Sequence, residues 1–380
     1  MIKRKKVYCE WDFLKTFVNN VPVFRPDTMN LYTSWYNLYF FICKADLVIN
    51  VSEEEFWELS DNNEWLLDLY KKFNQGELEN IFNKERFVKI SDLDTSNLED
   101  TYLNAVYLTC FDNNICKEVS DKFGILALNL NMAYQCAHLY IDNGISFSRL
   151  TSVNWDFLND LNKLFPQLKN CNAMIIVDNY LFSDTNDNTY KNKIDYNLCP
   201  ILDYLLPDRL IEGLEFKLTI ITGKKNELYK VVYEDLCSKI RDIRPSLNCV
   251  TTMYNDSSSI FHDRSIATNY VWIDCGSGFD VVKEGRDLKK STKVTVAFPL
   301  IQVNMEPLNG SFIQFVNDVK VRTCYRPRRN QYGQFSWGNG NSSNRIVSYY
   351  TRDENRREDI PKTPNQATKD RFSREYAWGK

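Results

Sequence analysis

Short apolar segments alternate with amphipathic segments along the chain, and this alternation predicts an α/β fold. Residues 173–177 are continuously apolar, which is typical of a strand buried on both faces of a sheet. Residues 46–51 and 125–130 predict further strands, and residues 225–241 carry an apolar stripe at helical spacing. Strands that alternate with helices in this way favour mostly parallel sheets flanked by helices.

Two segments predict longer strands that carry chemically useful side chains. Residues 6–14 predict the first strand, with two acidic residues near its end. Residues 266–273 alternate between the two faces of another predicted strand, and His262 and Arg264 precede it. Because side chains two positions apart point the same way from an extended backbone, His262 and Arg264 are suited to gripping one phosphate.

The pattern divides the chain into three parts. Its 380 residues leave room for two domains, and its hydrophobic fraction of 43% is ample for packed cores. We predict one α/β domain over residues 1–145 and a second over residues 146–310. Residues 311–380 predict a partly irregular tail, because apolar residues become scarce and Gly, Asn, Ser and Gln accumulate.

Charge is distributed unevenly, although the formal net charge is only −3. Residues 320–380 hold 14 Lys and Arg against 6 Asp and Glu, a net charge of +8. The remainder of the chain keeps 33 basic and 44 acidic residues, a net charge of −11. A basic C-terminal region therefore follows an acidic body.

Cysteine and histidine usage limits the classes of site that the chain can form. The 11 cysteines show no paired spacing, which indicates reduced thiols and a cytoplasmic protein. Two histidines without clustered cysteines argue against a structural zinc site. No run of 18 apolar residues occurs, so we predict no membrane partner.

The segment that opens at His262 has the spacing H-x-[K/R]-x4-[D/N]. It resembles the HKD signature of the phospholipase D-like superfamily, with His262, Arg264 and Asn269 at the matching positions. The strand that ends at Asp178 and the Gly-Ser-Gly turn at 276–278 extend the resemblance over about residues 150–305. The segment is similar to phospholipase D-like domains that are attached to other modules in bacterial conflict proteins.

This resemblance implies a site in which the histidine attacks phosphorus, the basic residue binds phosphate oxygens and the last residue orients the imidazole. Arg264 stands in place of lysine and can still bind phosphate in a bidentate manner. Asn269 stands in place of aspartate, so the charge that would stabilise an imidazolium is missing. Only one copy of the motif occurs, so a complete site requires a homodimer. Three interpretations stay open: a metal-independent phosphodiesterase, a non-catalytic phosphate-binding domain, and a purely structural histidine.

The N-terminal part carries acidic residues in a recurring position. Glu10 and Asp12 lie near the end of the first predicted strand, Asp100 begins a predicted helix, and Asp112 follows the strand at 105–109. A helix that ends at Gly124 and a strand come next. In this order the segments resemble PIN-like nucleases over about residues 1–130.

The PIN-like resemblance implies a carboxylate site for Mg²⁺ or Mn²⁺ at the carboxyl edge of a parallel sheet. The metal would activate water for the cleavage of a phosphodiester. The matching acidic residues are Glu10, Asp12, Glu55, Asp100 and Asp112. The alternative interpretation is coincidence, because a chain with 50 acidic residues also places some of them at strand ends by chance.

The basic tail predicts contacts with nucleic acid. Its arginines are interspersed with aromatic residues, a combination that suits phosphate contacts and base stacking. The candidate phosphate-binding residues are Arg326, Arg328 and Arg329. The alternative is a solvated extension that docks on the acidic body or on a partner chain.

Together the two resemblances imply a cytoplasmic, metal-dependent nuclease-type effector that cleaves nucleic-acid phosphodiesters, with bacterial antiphage defence as the expected setting. A non-enzymatic adaptor with a degenerate phospholipase D-like domain is the main alternative. The predicted partners are nucleic acid and either a second copy of the chain or a protein encoded in the same operon.

Overall fold

The computed structural model describes residues 4–76, 78, 81–82, 86–96, 98–136, 145–147, 155, 157–182, 189–223, 229–255, 264–276, 278–279, 294–300, 312–324, 331–333 and 344–351. The elements up to residue 136 are β1 (Lys6–Cys9), α1 (Trp11–Asn19), α2 (Met29–Lys44), β2 (Asp46–Ile49), α3 (Glu53–Ser60), α4 (Glu64–Asn74), a 3₁₀ turn (Ile90–Asp92), α5 (Asp100–Leu103), β3 (Val106–Leu108), α6 (Asn113–Phe123), β4 (Leu126–Leu128) and α7 (Leu130–Cys136).

The elements beyond residue 144 begin with a short strand and end with a short helix. They are β5 (Ile145–Phe147), α8 (Phe157–Leu164), β6 (Ala173–Asp178), α9 (Thr189–Lys193), a π-helical turn (Ile194–Leu198), α10 (Cys199–Leu205), β7 (Phe216–Thr222), α11 (Tyr229–Ile243), β8 (Cys249–Asn255), β9 (Arg264–Thr268), β10 (Trp272–Cys275), β11 (Val294–Ala297), α12 (Phe312–Cys324), β12 (Gln331–Gly333) and α13 (Arg345–Thr351).

The first sheet, sheet A, is parallel throughout its described pairs. Its strand order is β2-β1-β3-β4, and all three pairings run parallel. Helices connect the successive strands, as parallel pairing requires. The predicted α/β architecture with a parallel sheet is confirmed for this part of the chain.

The second sheet, sheet B, is mixed, and here the prediction of a mostly parallel sheet is wrong. Its order is β12-β8-β7-β6-β9-β10-β11-β5. Only the pairs β6–β7 and β7–β8 are parallel, whereas the other five described pairs are antiparallel. Three residues join β9 to β10, too few for the crossover that a parallel pair needs.

Two predicted strands end earlier than their patterns indicate. The predicted strand 266–273 is a hairpin, in which the N–H of Thr268 donates to the carbonyl of Val271 at 2.7 Å. The predicted strand 6–14 stops at Cys9, and α1 follows directly. This helix forms because its apolar residues recur at helical spacing and are buried on one face.

Two helices lie within residues 311–380, the region predicted to be a partly irregular tail. In α12, Phe312, Val316 and Val319 share one face and are buried against sheet B residues such as Ala173 and Ile175. The residues of α13 are also largely buried. The two helices contribute to a second apolar core, so this part of the tail belongs to the folded body.

Buried polar side chains join the two sheets through their strand ends. We call them the inter-sheet polar cluster. Its members are Lys5, Asn104, Asn172, Asn269, Tyr270, Arg345 and Tyr349. Each of these side chains bonds to, or packs on, a group from a different part of the chain.

Asn269 is fully buried and uses both ends of its amide. Its Oδ1 accepts from the backbone N–H groups of Asn172 at 2.9 Å and Ala173 at 3.0 Å, at the start of β6. Its Nδ2 donates to Oδ1 of Asn104 at 2.6 Å, next to the start of β3. One amide therefore connects sheet B to the amino end of sheet A.

Asn172 makes a second connection in the same place. Its Nδ2 donates to the carbonyls of Leu103 at 2.8 Å, Gly124 at 2.9 Å and Phe123 at 3.2 Å. These carbonyls close α5 and α6, where helix ends leave acceptors without intrahelical partners. The side chain from sheet B thus satisfies buried acceptors that belong to the sheet A layer.

Tyr270 and Lys5 complete the contact around the amino ends of β3 and β4. The hydroxyl of Tyr270 donates to the carbonyl of Ala105 at 2.8 Å and accepts from the N–H of Leu126 at 3.1 Å. The ammonium of Lys5 donates to the carbonyl of Asn269 at 2.7 Å and lies 4.6 Å from the centre of the Tyr270 ring. A fully buried lysine is therefore bonded and packed on an aromatic face.

Helix α13 seals this contact from the other end of the chain. The hydroxyl of Tyr349 accepts from the N–H of Lys6 at 2.8 Å and donates to the carbonyl of Arg4 at 3.1 Å. Nη1 of Arg345 donates to the carbonyl of Asn172 at 3.0 Å. The first strand and the last described helix are consequently fixed to the same cluster.

A substitution at Gly124 can test how closely the two sheets approach each other. It ends α6 with φ of +61°, and a Cβ added there would lie 2.4 Å from the carbonyl oxygen of Cys171. Gly76 has a similar φ of +74° but nothing within 4 Å. We expect Gly76→Ala to cost only the left-handed strain of about 1–2 kcal/mol. Gly124→Ala should lower the free energy of unfolding by more, because backbone must also shift.

Urea unfolding of both variants measures this difference. Equal losses for Gly124→Ala and Gly76→Ala would contradict the close packing of α6 against residues 171–172.

Candidate functional site

The carboxyl edge of sheet A is the first candidate site. The chain runs from β1 to β2 on one side of the sheet and then to β3 on the other side of β1. In α/β sheets such a reversal marks the crevice where ligands bind, which here falls between the carboxyl ends of β1 and β3. Glu10 directly follows β1, and residues 109–112 follow β3.

Two acidic residues at this edge are held by backbone N–H groups. Oε2 of Glu10 accepts from the N–H of Cys110 at 2.9 Å, across the β1–β3 crevice. Oδ1 of Asp112 accepts from the N–H groups of Asn114 at 2.8 Å and Ile115 at 3.0 Å, which caps α6. Each carboxylate is therefore fixed through one oxygen.

Asp12 lies nearby but is held differently. It occupies the first turn of α1, and its Oδ1 lies 2.6 Å from Nζ of Lys15. Its side chain is 77% exposed. The Lys15 ammonium also lies 5.6 Å from the centre of the Trp11 ring, so a cation accompanies the acidic residues at this edge.

The three acidic residues also act on two neighbouring thiols. Burial raises the pKa of Cys110, and Glu10 and Asp12 raise it further, while Lys15 opposes them. Burial also raises the pKa of Cys116 to about 11, with smaller contributions from Asp112 and Glu10. Glu10 thus lies within electrostatic reach of thiols on both sides of the crevice.

Of the other two predicted metal ligands, Glu55 lies on α3, which follows the carboxyl end of β2, whereas Asp100 lies at the opposite edge of sheet A. Glu55 is exposed in the first turn of α3, where its N–H is capped by Oγ of Ser52 at 3.2 Å. Asp100 begins α5, which leads into the amino end of β3, and its Oδ1 lies 3.8 Å from Nε of Arg345. Asp100 therefore belongs beside the inter-sheet polar cluster, away from the carboxyl edge.

The acidic residues of the carboxyl edge suit a hard divalent cation in their chemistry. Within the described ranges, no three His, Cys, Asp or Glu side chains are grouped closely enough to hold a metal ion by themselves. Mg²⁺ commonly takes only one or two carboxylates and completes its octahedron with waters and substrate phosphates. Glu10 and Asp112 would be the residues that hold it.

The second candidate site lies where β6 ends beside the start of β9. Asp178 is buried, and its two oxygens accept from the N–H groups of Tyr180 and Phe279, both at 2.9 Å. Arg264 donates through Nη1 to the carbonyl of Gly276 at 2.8 Å, and its guanidinium carbon lies 4.8 Å from the centre of the Tyr180 ring. Nε of Arg264 lies 4.0 Å from Oδ1 of Asp178.

Gly278 shows how closely this second site is packed. It has φ of +84°, and a Cβ there would lie 2.8 Å from Oδ2 of Asp178 and 3.5 Å from Arg264. Only glycine combines this backbone conformation with so close an approach. Gly276, through its carbonyl, and Gly278, through its close approach, thus contact Arg264 and Asp178 at the edge of sheet B.

Two of the three predicted phospholipase D-like residues, Arg264 and Asn269, lie within the described ranges, so the assembly of the complete site stays a prediction. Arg264 begins β9, whereas Asn269 follows its other end, five residues or about 16 Å along an extended strand. Asn269 is also fully committed to the inter-sheet polar cluster. His262 lies outside the described residues.

The remaining predictions about the tail lie outside the described residues. Arg326, Arg328 and Arg329 fall between α12 and β12, outside the described residues, so their contacts stay a prediction. Among the helices that the structure describes, none is long and apolar enough to cross a membrane.

The two candidate sites point away from each other. The two sheets contact each other end to end. The contact includes Asn172 and Asn269 from sheet B and Ala105 from sheet A. Glu10 lies at the far end of sheet A, and Asp178 lies at the far end of β6. A single chain therefore cannot apply both sites to the same phosphodiester.

No known protein family matches the sequence, and no curated protein is significantly similar to it. The phospholipase D-like and PIN-like resemblances therefore stay predictions. We therefore argue the function from the geometry of two places, the carboxyl edge of sheet A and the edge of sheet B at Asp178 and Arg264.

Asn269 gives a direct test of its structural role. If Asn269 were a weakened catalytic residue, Asn269→Asp would restore activity and leave the fold intact. We expect it instead to lower the free energy of unfolding by about 3 kcal/mol or more, because it removes buried donors and introduces a buried carboxyl group. Thermal and urea unfolding measure the loss.

Asn62→Asp is the matched control, because Asn62 is exposed in the turn after α3. A stable Asn269→Asp protein with increased phosphodiesterase activity would contradict the structural assignment.

Proposed function

We propose that this chain is a metal-dependent nuclease-type enzyme that cleaves nucleic-acid phosphodiesters at the carboxyl edge of sheet A. The observation that supports the proposal is the arrangement of Glu10 and Asp112. Each carboxylate has one oxygen fixed by backbone N–H groups, and the second oxygen has no hydrogen-bond partner within the described part of the chain. Two positioned oxygens thus remain for a ligand at the crevice.

The chemistry of these residues fits a phosphodiester substrate. Mg²⁺ or Mn²⁺ bound there would supply charge stabilisation for the leaving oxygen and an activated water. Glu10 and Asp112 would hold the cation, and the fold fixes their orientation before the substrate arrives. Lys15 is paired with Asp12, so the bound cation would supply the positive charge that a polyanionic substrate needs at this edge.

A second candidate function concerns sheet B alone. The hydrogen bonds that commit the Asn269 amide to the inter-sheet polar cluster favour a non-catalytic domain over an active phospholipase D-type site. Arg264 lies against Tyr180, whose side chain is 49% exposed, so an arginine and an aromatic ring meet at the edge of sheet B. In this alternative the second half of the chain is an adaptor that binds a phosphate-bearing partner.

Charge-neutral variants test the carboxylate site without disturbing the fold. In Glu10→Gln and Asp112→Asn, the new amide oxygen can accept from the same backbone N–H groups as the carboxylate oxygen that it replaces. We expect each to weaken Mg²⁺ binding by roughly 10–100-fold, with a matching loss of cleavage at limiting Mg²⁺. Calorimetric Mg²⁺ titration and digestion of single- and double-stranded DNA and RNA measure both effects.

Glu234→Gln is the matched control, because Glu234 is 59% exposed on α11, which packs against β8 of sheet B. Cleavage by Glu10→Gln and Asp112→Asn at the wild-type rate would contradict the proposal. Cleavage that persists in EDTA and disappears in His262→Ala would instead support the metal-independent alternative.

The Cys110 thiol provides a readout that does not depend on activity. Glu10 and Asp12 help to raise its pKa, after burial, so their negative charge disfavours the reactive thiolate. A cation at the carboxyl edge would offset that charge, lower the pKa of Cys110 and increase the thiolate fraction. We expect Mg²⁺ to accelerate alkylation of Cys110 by iodoacetamide at mildly alkaline pH.

Peptide mass spectrometry follows the alkylation of each cysteine separately. Cys199 is the internal control, since burial raises its pKa to about 12 and its charged neighbours are Asp195, Lys239, Asp242 and Asp203, none of them at the carboxyl edge of sheet A. Glu10→Gln should accelerate Cys110 alkylation without metal and reduce the response to Mg²⁺. An identical Cys110 rate with and without Mg²⁺ would contradict cation binding at this edge.

A further inference from the structure

A largely uncharged apolar surface lies on the loop before α2 and on the first half of that helix. Val23 is 62% exposed, Phe24 65%, Met29 52% and Tyr36 46%. Together with Arg25 and Asp27, these residues form what we call the 23–36 surface. Such exposure of large apolar side chains marks an interaction site when the side chains adjoin one another.

The side chains of the 23–36 surface do adjoin one another. The rings of Phe24 and Tyr32 pack edge to face with centres 5.2 Å apart, which joins the loop to the helix. Met29, Thr33 and Tyr36 follow at helical spacing along one face of α2. The opposite face, which includes Trp35 and Leu38, is buried in the core.

The sequence of α2 is unusual for a helix with one face in water. No charged residue occurs from position 29 to position 43. Solvent-facing helix surfaces normally carry charged side chains opposite the apolar stripe. The exposed side chains, namely Phe, Tyr, Met and a nearby Arg, are instead the types enriched at protein interfaces.

The flanking charges indicate which partner fits. Arg25 and Asp27 are both exposed, and neither has an ion-pair partner among the residues that the structure describes. A two-fold axis brings the same patch of two copies together, so a residue i meets residue j and j meets i. Arg25 of each copy can therefore face Asp27 of the other, which makes the surface complementary to itself.

We propose that the 23–36 surface is the interface of a homodimer. The apolar side chains of loop and helix bury one another around the two-fold axis, and the Arg25–Asp27 pairs set the relative orientation of the copies. This interface uses none of the residues of the two candidate sites, and it does not depend on the proposed nuclease activity.

Charge-reversal variants of the full-length protein test the proposed dimer by sedimentation equilibrium. Arg25→Glu places an acid against Asp27, and Asp27→Lys places a base against Arg25, so each alone should weaken dimerisation about tenfold or more. The double variant restores opposite charges and should return the dissociation constant to near the wild-type value. Phe24→Asp should give monomers.

Val231→Asp is the matched control, because Val231 is a similarly exposed apolar residue, 43% exposed, on α11. Circular dichroism confirms that each variant remains folded. A wild-type protein that is monomeric at all concentrations would overturn the proposal. So would a dimer that Phe24→Asp leaves intact, or a double variant that is as weak as the single variants.

Discussion

The amide side chains of Asn104, Asn172 and Asn269 determine how the two sheets meet. Strand and helix ends leave backbone donors and acceptors without partners, and burying them unpaired is costly. Here Asn172 satisfies three carbonyls of the sheet A layer, while Asn269 satisfies two N–H groups at the start of β6. Because these backbone groups are buried, they keep their hydrogen bonds only while the three side-chain amides hold their positions. The packing of sheet A against sheet B depends on that arrangement.

This junction also determines which edges of the sheets can face a ligand. The cluster occupies the amino ends of β1, β3, β4 and β6, so the carboxyl ends of these strands project away from it. Loops at carboxyl ends can supply side chains and helix N-termini to a bound molecule. Glu10 and Asp112 lie on one such edge, and Arg264 and Asp178 lie on the other.

Local patterns predicted the strands well where an apolar run was buried, as in β6, and they placed Glu10 and Asp112 at strand ends correctly. They failed at the β9–β10 hairpin, because Tyr270 and Val271 continue the apolar alternation although they are buried in a turn. Nothing local reveals that Asp100 faces Arg345, since these residues are distant in sequence.

The sequence does contain a pattern that could have identified the three asparagines of the inter-sheet polar cluster. Asn104, Asn172 and Asn269 each directly precede an apolar run, in the sequences Asn-Ala-Val, Asn-Ala-Met and Asn-Tyr-Val. A polar residue that is placed at the start of a buried segment must find buried partners. Pattern analysis identifies such residues one at a time, whereas their mutual contacts arise only from the tertiary fold.

The bond between Lys6 and Tyr349 links positions that are 343 residues apart, and this separation has a consequence for synthesis. At typical translation rates of about 5–20 residues per second, roughly 17–70 s elapse between the two residues. During that interval β1 has no α13 to cover it, and the buried lysine beside it lacks two of the three rings that surround it in the finished fold. The first strand to be synthesised therefore acquires its contacts with α13 only when synthesis is nearly finished.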